Sequence, residues 1–202
     1  PFSSCNVIFS KKGRGTLAFI EGCDIINHHT NIREELGKTL VSSYLIELID
    51  KFTLEGKKNS ELFQLLLTFL GLIDVGNSSD ALIRFFEIRL LKHAGYEPVL
   101  DRCLVCRQPL MEKIAYTFIT SEGGLKCATC FQNNSSALHV SLGTIKTLLL
   151  GKEIDIERIS RIVFSDQMAK ESRDMLVGFI RHLLGKEIKS FNVLNEIQRM
   201  GF

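Results

Sequence analysis

Four cysteines carry the clearest chemistry in this sequence. Cys103 and Cys106 form one Cys-x-x-Cys knuckle, and Cys127 and Cys130 form a second about twenty residues on. A two-residue gap lets both thiolates of one turn face a single ion, and Zn²⁺ favours a tetrahedral shell of such soft ligands. The spacing predicts a structural Zn²⁺ site. A catalytic zinc keeps one coordination position open, and four cysteines fill the shell. Gly123 and Gly124 precede the second knuckle, and glycines suit turns that aim backbone N–H groups at thiolate sulfurs.

Other constellations are absent. A zinc deaminase needs His-x-Glu upstream of Pro-Cys-x-x-Cys, but here His93-Ala94-Gly95 lacks the glutamate and Arg102 precedes Cys103. No phosphate-cradling Gly-x-x-x-x-Gly-Lys-Ser/Thr loop and no Gly-x-Ser-x-Gly elbow occurs. The knuckles lack the βαβ context of a thioredoxin-like dithiol. Each of the five histidines fits a surface or packing role better than ligation. Cys5 and Cys23 are expected to be two buried thiols. No nucleophile–base pair can be named, so the sequence does not read as an enzyme.

The charges offer two candidate binding surfaces. Net charge is only +2, so any nucleic-acid contact must come from a local cluster. Lys11, Lys12 and Arg14 supply one, because residues 1–20 hold three positive charges and no acidic residue. Phe9 or Phe19 could add a stacking platform for single-stranded DNA; a solvated turn beside two core phenylalanines is the competing reading. Arg84, Arg89 and Lys92 supply the other. An arginine on a partly apolar helix can hold a carboxylate bidentately beside a hydrophobic pocket. Internal pairing, such as Arg84 with Glu87 at i,i+3, competes with that use.

These residues need elements to position them. Residues 1–30 read as a partial β module, with two short β-rich runs around the turn Ser10-Lys11-Lys12-Gly13-Arg14-Gly15. Two strands are marginal alone, and no other strongly β-rich segment is evident downstream. The chain therefore reads as starting inside a β domain. Residues 31–202 read as an α-helical domain. One helix starts at Thr30 or Asn31 and ends near Glu55; a second, capped by Asn59 or Ser60, is apolar nearly all round and should pack on several sides. A third, 81–95, has scattered charges and should lie near the bundle centre with those charges paired or at an edge. The zinc segment, 96–135, holds one short strand, 116–120, as in zinc ribbons. Helices follow at 142–150 (cap Ser141), around 154–163, at 166–184 (cap Ser165, stop Gly185) and at 192–199. No run approaches the ~18 apolar residues of a membrane span. Pro1-Phe2-Ser3-Ser4 lacks a signal-peptide start, and six cysteines are too sparse for a disulfide scaffold. A cytoplasmic protein is expected. The fold class is mainly α: a helical bundle with an inserted four-cysteine zinc-ribbon-like element, preceded by a partial β module.

The run Phe85-Phe86-Glu87-Ile88-Arg89-Leu90-Leu91, then Gly95-Tyr96-x-Pro98-x-Leu100-Asp101-x-Cys103-x-x-Cys106 and Gly123-Gly124-x-x-Cys127-x-x-Cys130, resembles the bacterial RecO family. Pro1-Phe2-Ser3, Gly13-Arg14-Gly15, Ile32-Arg33-Glu34-Glu35-Leu36 and Ser43-Tyr44-Leu45-Ile46-Glu47-Leu48 extend the resemblance over essentially the whole chain. The resemblance implies an N-terminal OB-fold, of which residues 1–30 would be a remnant, and a helical domain with a zinc element. It implies a DNA repair and recombination mediator that binds single- and double-stranded DNA and anneals complementary strands. The implied partners are RecR, RecF, RecA and the acidic C-terminal tail of single-strand-binding protein (SSB), the last a ligand for Arg84, Arg89 and Lys92. The alternative is a zinc-stabilised helical adaptor without DNA binding of its own.

Overall fold

A computed structural model describes residues 1–11, 17–76, 78–132 and 137–199. Among them the order is β1 (Ser4–Ser10), β2 (Phe19–Asn27), α1 (Thr30–Glu34), α2 (Leu36–Phe52), α3 (Ser60–Val75), α4 (Asp80–His93), β3 (Val99–Cys103), β4 (Tyr116–Ile119), β5 (Gly124–Cys127), β6 (Ala137–Val140), α5 (Leu142–Glu153), α6 (Ile156–Ile159), α7 (Asp166–Leu184) and α8 (Lys189–Arg199). Helices carry most of the core, and two sheets accompany them.

Four helix starts follow their capping residues, while α1, begun at Thr30 after His29, has no side-chain cap. Asn59, Ser79, Ser141 and Ser165 each accept the backbone N–H three residues on, filling donors that a helix start otherwise leaves open. Gly185 (φ 60°) closes α7 in the left-handed conformation that glycine takes without strain. At the first long helix the structure departs from expectation. Glu35 is extended, so 30–52 splits into α1 and α2. The break is fixed from outside: Asp74 at the end of α3 accepts the Ile32 N–H at 3.2 Å, and its carbonyl accepts from Asn31 and Lys38.

Helix α4 runs through the middle of the bundle, with residues 81 to 91 all buried. It packs on α3, α5 and α7. Helix α3 is less enclosed than its composition suggests. Leu62, Leu65, Phe69, Leu70 and Ile73 are buried, but Phe63 and Val75 are exposed because α3 packs on α1, α2 and α4 along one side. Near residues 154–163 only α6 is helical, and the last helix begins at Lys189, ahead of 192.

The β content exceeds expectation. β1 and β2 form an antiparallel hairpin with bulges at Ser4/Cys5 and Ile8/Phe9. The cysteine-bearing segment is a four-stranded sheet in the order β3-β5-β4-β6, not a single strand. β3 runs parallel to β5; β4 pairs antiparallel with β5 and β6. β6 lies beyond residue 135 and leads directly into α5, tying this sheet to the helices. Phe118 of β4 meets Phe179 of α7 edge-on at 5.8 Å.

Candidate metal centre and charged surfaces

The sheet brings the two knuckles together. Cys103 ends β3 and Cys127 ends β5, and their strands are neighbours. Each strand is followed by a tight turn. In the first, Arg107 takes φ 61° while its N–H reaches the Cys103 carbonyl; in the second, the Cys130 and Phe131 N–H groups reach the Cys127 carbonyl. The four Sγ atoms lie within 4.8 Å of one another, with Cys106 and Cys127 at 3.9 Å. Tetrahedral thiolates 2.3 Å from zinc would stand about 3.8 Å apart, so the cluster has the size of a zinc shell.

The surrounding amides favour thiolate. Burial opposes ionisation of Cys103, but N–H groups of Cys127, Cys106 and Val105 aim at it and bring its pKa down to about 6. The Cys127 N–H···Sγ distance is 3.4 Å. Cys130, hydrogen-bonded to Cys127 and pressed by Cys106 and Cys103, is pushed up to about 12. Four thiols crowded this way resist sharing negative charge, and a divalent cation relieves that crowding. Gly123 takes a positive φ (64°), as a glycine in such a turn does, but its N–H serves the turn rather than a sulfur. The Gly123 N–H donates to Ile119, and a Cβ at Gly124 would meet Leu104 at 2.8 Å. Gly124 thus lets the first knuckle close onto β5, and the amides of Cys127 and Val105, not singled out in the sequence, serve the sulfurs.

The other candidates are scattered. Lys11 is exposed beside the end of β1; Lys12 and Arg14 lie outside the described residues. Phe9 and Phe19 are exposed side chains of the hairpin rather than core residues. Cys5 is half-buried and Cys23 is exposed, which corrects the expectation of two buried thiols.

Arg84, Arg89 and Lys92 do not form one surface. Arg84 is 1% exposed and touches Glu87 at 2.8 Å, so it offers nothing to an external carboxylate. Arg89 donates to the carbonyls of Gly151 (2.9 Å) and Ile154 at the end of α5. Lys92 pairs with Glu153 at 2.7 Å and is part-exposed. Arg89 and Lys92 do line a shared groove of about 590 Å³, with Leu65, Thr68, Lys152 and Ile156. Lys152, missed in the sequence because it comes from α5, adds a further cation there. Among the described residues no helix is long and apolar enough to cross a membrane.

Comparison with known proteins places this architecture. The family profile described as "Recombination protein O C terminal" matches residues 33–191. The chain is 50% identical over 203 residues to the DNA repair protein RecO of Syntrophus aciditrophicus, covering 100% of this chain and 78% of that protein. It is 31% identical over 180 residues to the RecO of Dehalococcoides mccartyi, covering 89% and 70%. It is 30% identical over 194 residues to the RecO of Bacillus pumilus, covering 96% and 73%.

Proposed function

The chain belongs to the RecO family of bacterial DNA repair proteins, and from that premise we propose that it acts as a non-enzymatic recombination mediator in the cytoplasm. In this reading it binds single- and double-stranded DNA, anneals complementary strands and helps load RecA on SSB-coated DNA, working with RecR and RecF. The observation that carries the proposal is the 50% identity to a RecO protein across the whole chain.

The parts divide as follows. The β1–β2 hairpin belongs to an OB-fold completed by further strands, and Lys11, Lys12 and Arg14 on its turn contact the phosphate backbone. Its apolar side chains, exposed here, support additional strands pairing with it. Zn²⁺ held by Cys103, Cys106, Cys127 and Cys130 clamps the β3–β6 sheet without taking part in DNA chemistry. The acidic SSB tail binds in the groove beside Arg89 and Lys92, its carboxylates exchanging for Glu153.

Annealing of complementary oligonucleotides by the full-length protein tests the central claim. Removing Lys11, Lys12 and Arg14 together should slow annealing and flatten the slope of log K against log salt by ~0.7 per lost contact on single strands. An unchanged slope would remove the hairpin turn from the DNA surface, and no annealing at all by the intact protein would favour the adaptor reading.

A further inference from the structure

The groove beside Arg89 and Lys92 comes with its own counter-charges. Its lining holds three cations, Arg89, Lys92 and Lys152, together with His93 and a single carboxylate, Glu61. Each basic head group is already met by an acceptor from another element. Glu153 at the end of α5 sits 2.7 Å from Lys92, Glu97 before β3 sits 2.5 Å from Lys152, and Glu61 in the first turn of α3 sits 3.1 Å from His93 Nδ1. Arg89 differs: it is buried and donates to the Gly151 and Ile154 carbonyls, which commits it to holding the end of α5. Lys92 holds the Glu153 carboxyl below the usual carboxylate range. The three glutamate side chains are 63%, 38% and 70% exposed in that order, so each can swing into solvent without leaving itself buried and unpaired.

We propose that Glu61, Glu97 and Glu153 are selectivity residues that reserve this groove for an acidic peptide bearing an apolar side chain and turn away anions that offer charge alone. The assignment rests on the reading of the groove as the tail site. The physical reason is exchange. An incoming carboxylate that takes Lys92 or Lys152 displaces Glu153 or Glu97, so one exposed ion pair replaces another and the charge gain nearly cancels. Burial of an apolar side chain against Leu65 and Ile156, which line the same groove, does not cancel. A polyanion without such a side chain gains only the exchange. Discrimination then comes from a feature set against the wrong ligand rather than from added contacts to the right one. The same glutamates keep nucleic-acid phosphates off a groove that its lining residues alone would make cationic.

Fluorescence anisotropy on the full-length protein tests this, with the SSB tail peptide and hexa-aspartate as probes. The variant carries Glu61→Gln, Glu97→Gln and Glu153→Gln, and an unchanged melting temperature checks its fold. The parent protein should bind hexa-aspartate more weakly than the tail peptide. The triple variant should bind hexa-aspartate about tenfold more tightly than the parent does, roughly two- to threefold for each uncovered partner. Its affinity should also fall more steeply with added salt, because its cations are no longer covered from within. Glu153→Gln alone should show the single roughly two- to threefold step, and it serves where the triple variant melts lower. Adding Lys92→Ala and Lys152→Ala to the triple variant should remove the gain, which places it in the groove rather than on the hairpin turn. Unchanged hexa-aspartate affinity in the glutamine variants would overturn the proposal even where the tail peptide still binds. So would a gain that survives the two lysine substitutions. A hexa-aspartate gain with no tail binding to either protein would instead remove the tail as occupant and leave the exclusion of bare anions standing.

Discussion

Glu87 is fully buried between Tyr44, whose hydroxyl donates to it at 2.6 Å, and Arg84. Burial raises its pKa to about 7 against the pull of Arg84 and the Tyr44 bond. The fold therefore prefers Glu87 protonated, while the unfolded chain ionises it near the ordinary 4.5. Stability from this group is complete below about 4.5 and is lost as pH rises through about 7. Glu87→Gln keeps an acceptor for Tyr44 and removes the titration. It should match the parent protein at acid pH and exceed it at pH 8 by on the order of 3 kcal/mol, taking about 1.4 kcal/mol per tenfold change in proton affinity. Denaturant melts of both proteins from pH 4.5 to 8 would show this as a stability difference that grows with pH; a difference that stays constant would mean that Glu87 is not protonated in the fold. The sequence placed Arg84 and Glu87 three apart on a central helix, which made pairing one of two open readings. It could not show that the pair sits inside, because that depends on α2 and α7 closing over α4.

Among the elements, the helices with their own caps were legible, whereas the carboxylates that reinforce helix starts from far along the chain were not. Glu171 on α7 accepts from the Ser141 amide and hydroxyl and from Thr144, which fixes the start of α5. Burial pushes the Glu171 pKa up, but bonds from Thr144, Gln167 and Ser141 hold it below the ordinary carboxylate value. Its contribution is present above that ordinary value and lost as pH falls through the lowered one. Glu171→Ala should cost about 2 kcal/mol at neutral pH and progressively less in acid, measured as the shift in urea midpoint. Glu47 does the same for α8, accepting from Lys189 and Ser190 at 3.2 and 2.8 Å across 142 and 143 residues; local reading started that helix late for this reason. The strand β4 was legible from its run Tyr116-Thr117-Phe118-Ile119, whereas the equally short β3, β5 and β6 carry Asp101, Gly124, Lys126 and Ala137, residues that strands disfavour, and β3–β5 pairing is non-local. The four-cysteine cluster was legible because thiolate spacing survives whatever scaffold holds it. Its predicted role as a clamp follows from position: Cys103 and Cys127 end the paired strands β3 and β5. Cys103→Ser should therefore lower the melting temperature and zinc content together, before any loss of DNA or partner binding. Zinc per chain near zero in chelator-free protein, or an unchanged melting temperature with lost binding, would refute the clamp.

At the scale of the whole molecule, the buried core runs from Ile32 to Leu194 and takes no member from β1 or β2. Phe2, just before the hairpin, packs against that core, while Val7, Ile8, Phe9, Ile20 and Ile26 of the hairpin are exposed. The helices and the β3–β6 sheet share one core: Leu125 of β5, Phe118 of β4 and Phe179 of α7 all belong to it. A fragment beginning at residue 28 keeps this entire set and loses only Phe2 and the hairpin. It should fold cooperatively, retain zinc, and melt within several degrees of the longer chain, since about 1 kcal/mol shifts a domain of this size by only a few degrees. It should also lose the salt-dependent DNA contact assigned to Lys11, Lys12 and Arg14, while keeping any SSB-tail binding at the groove beside Arg89 and Lys92. Calorimetry on the fragment, with DNA and tail-peptide titrations, separates the two halves. A fragment that does not fold would mean that the hairpin supports the helical body, and one that keeps DNA binding with an unaltered salt slope would move the nucleic-acid surface onto the helices.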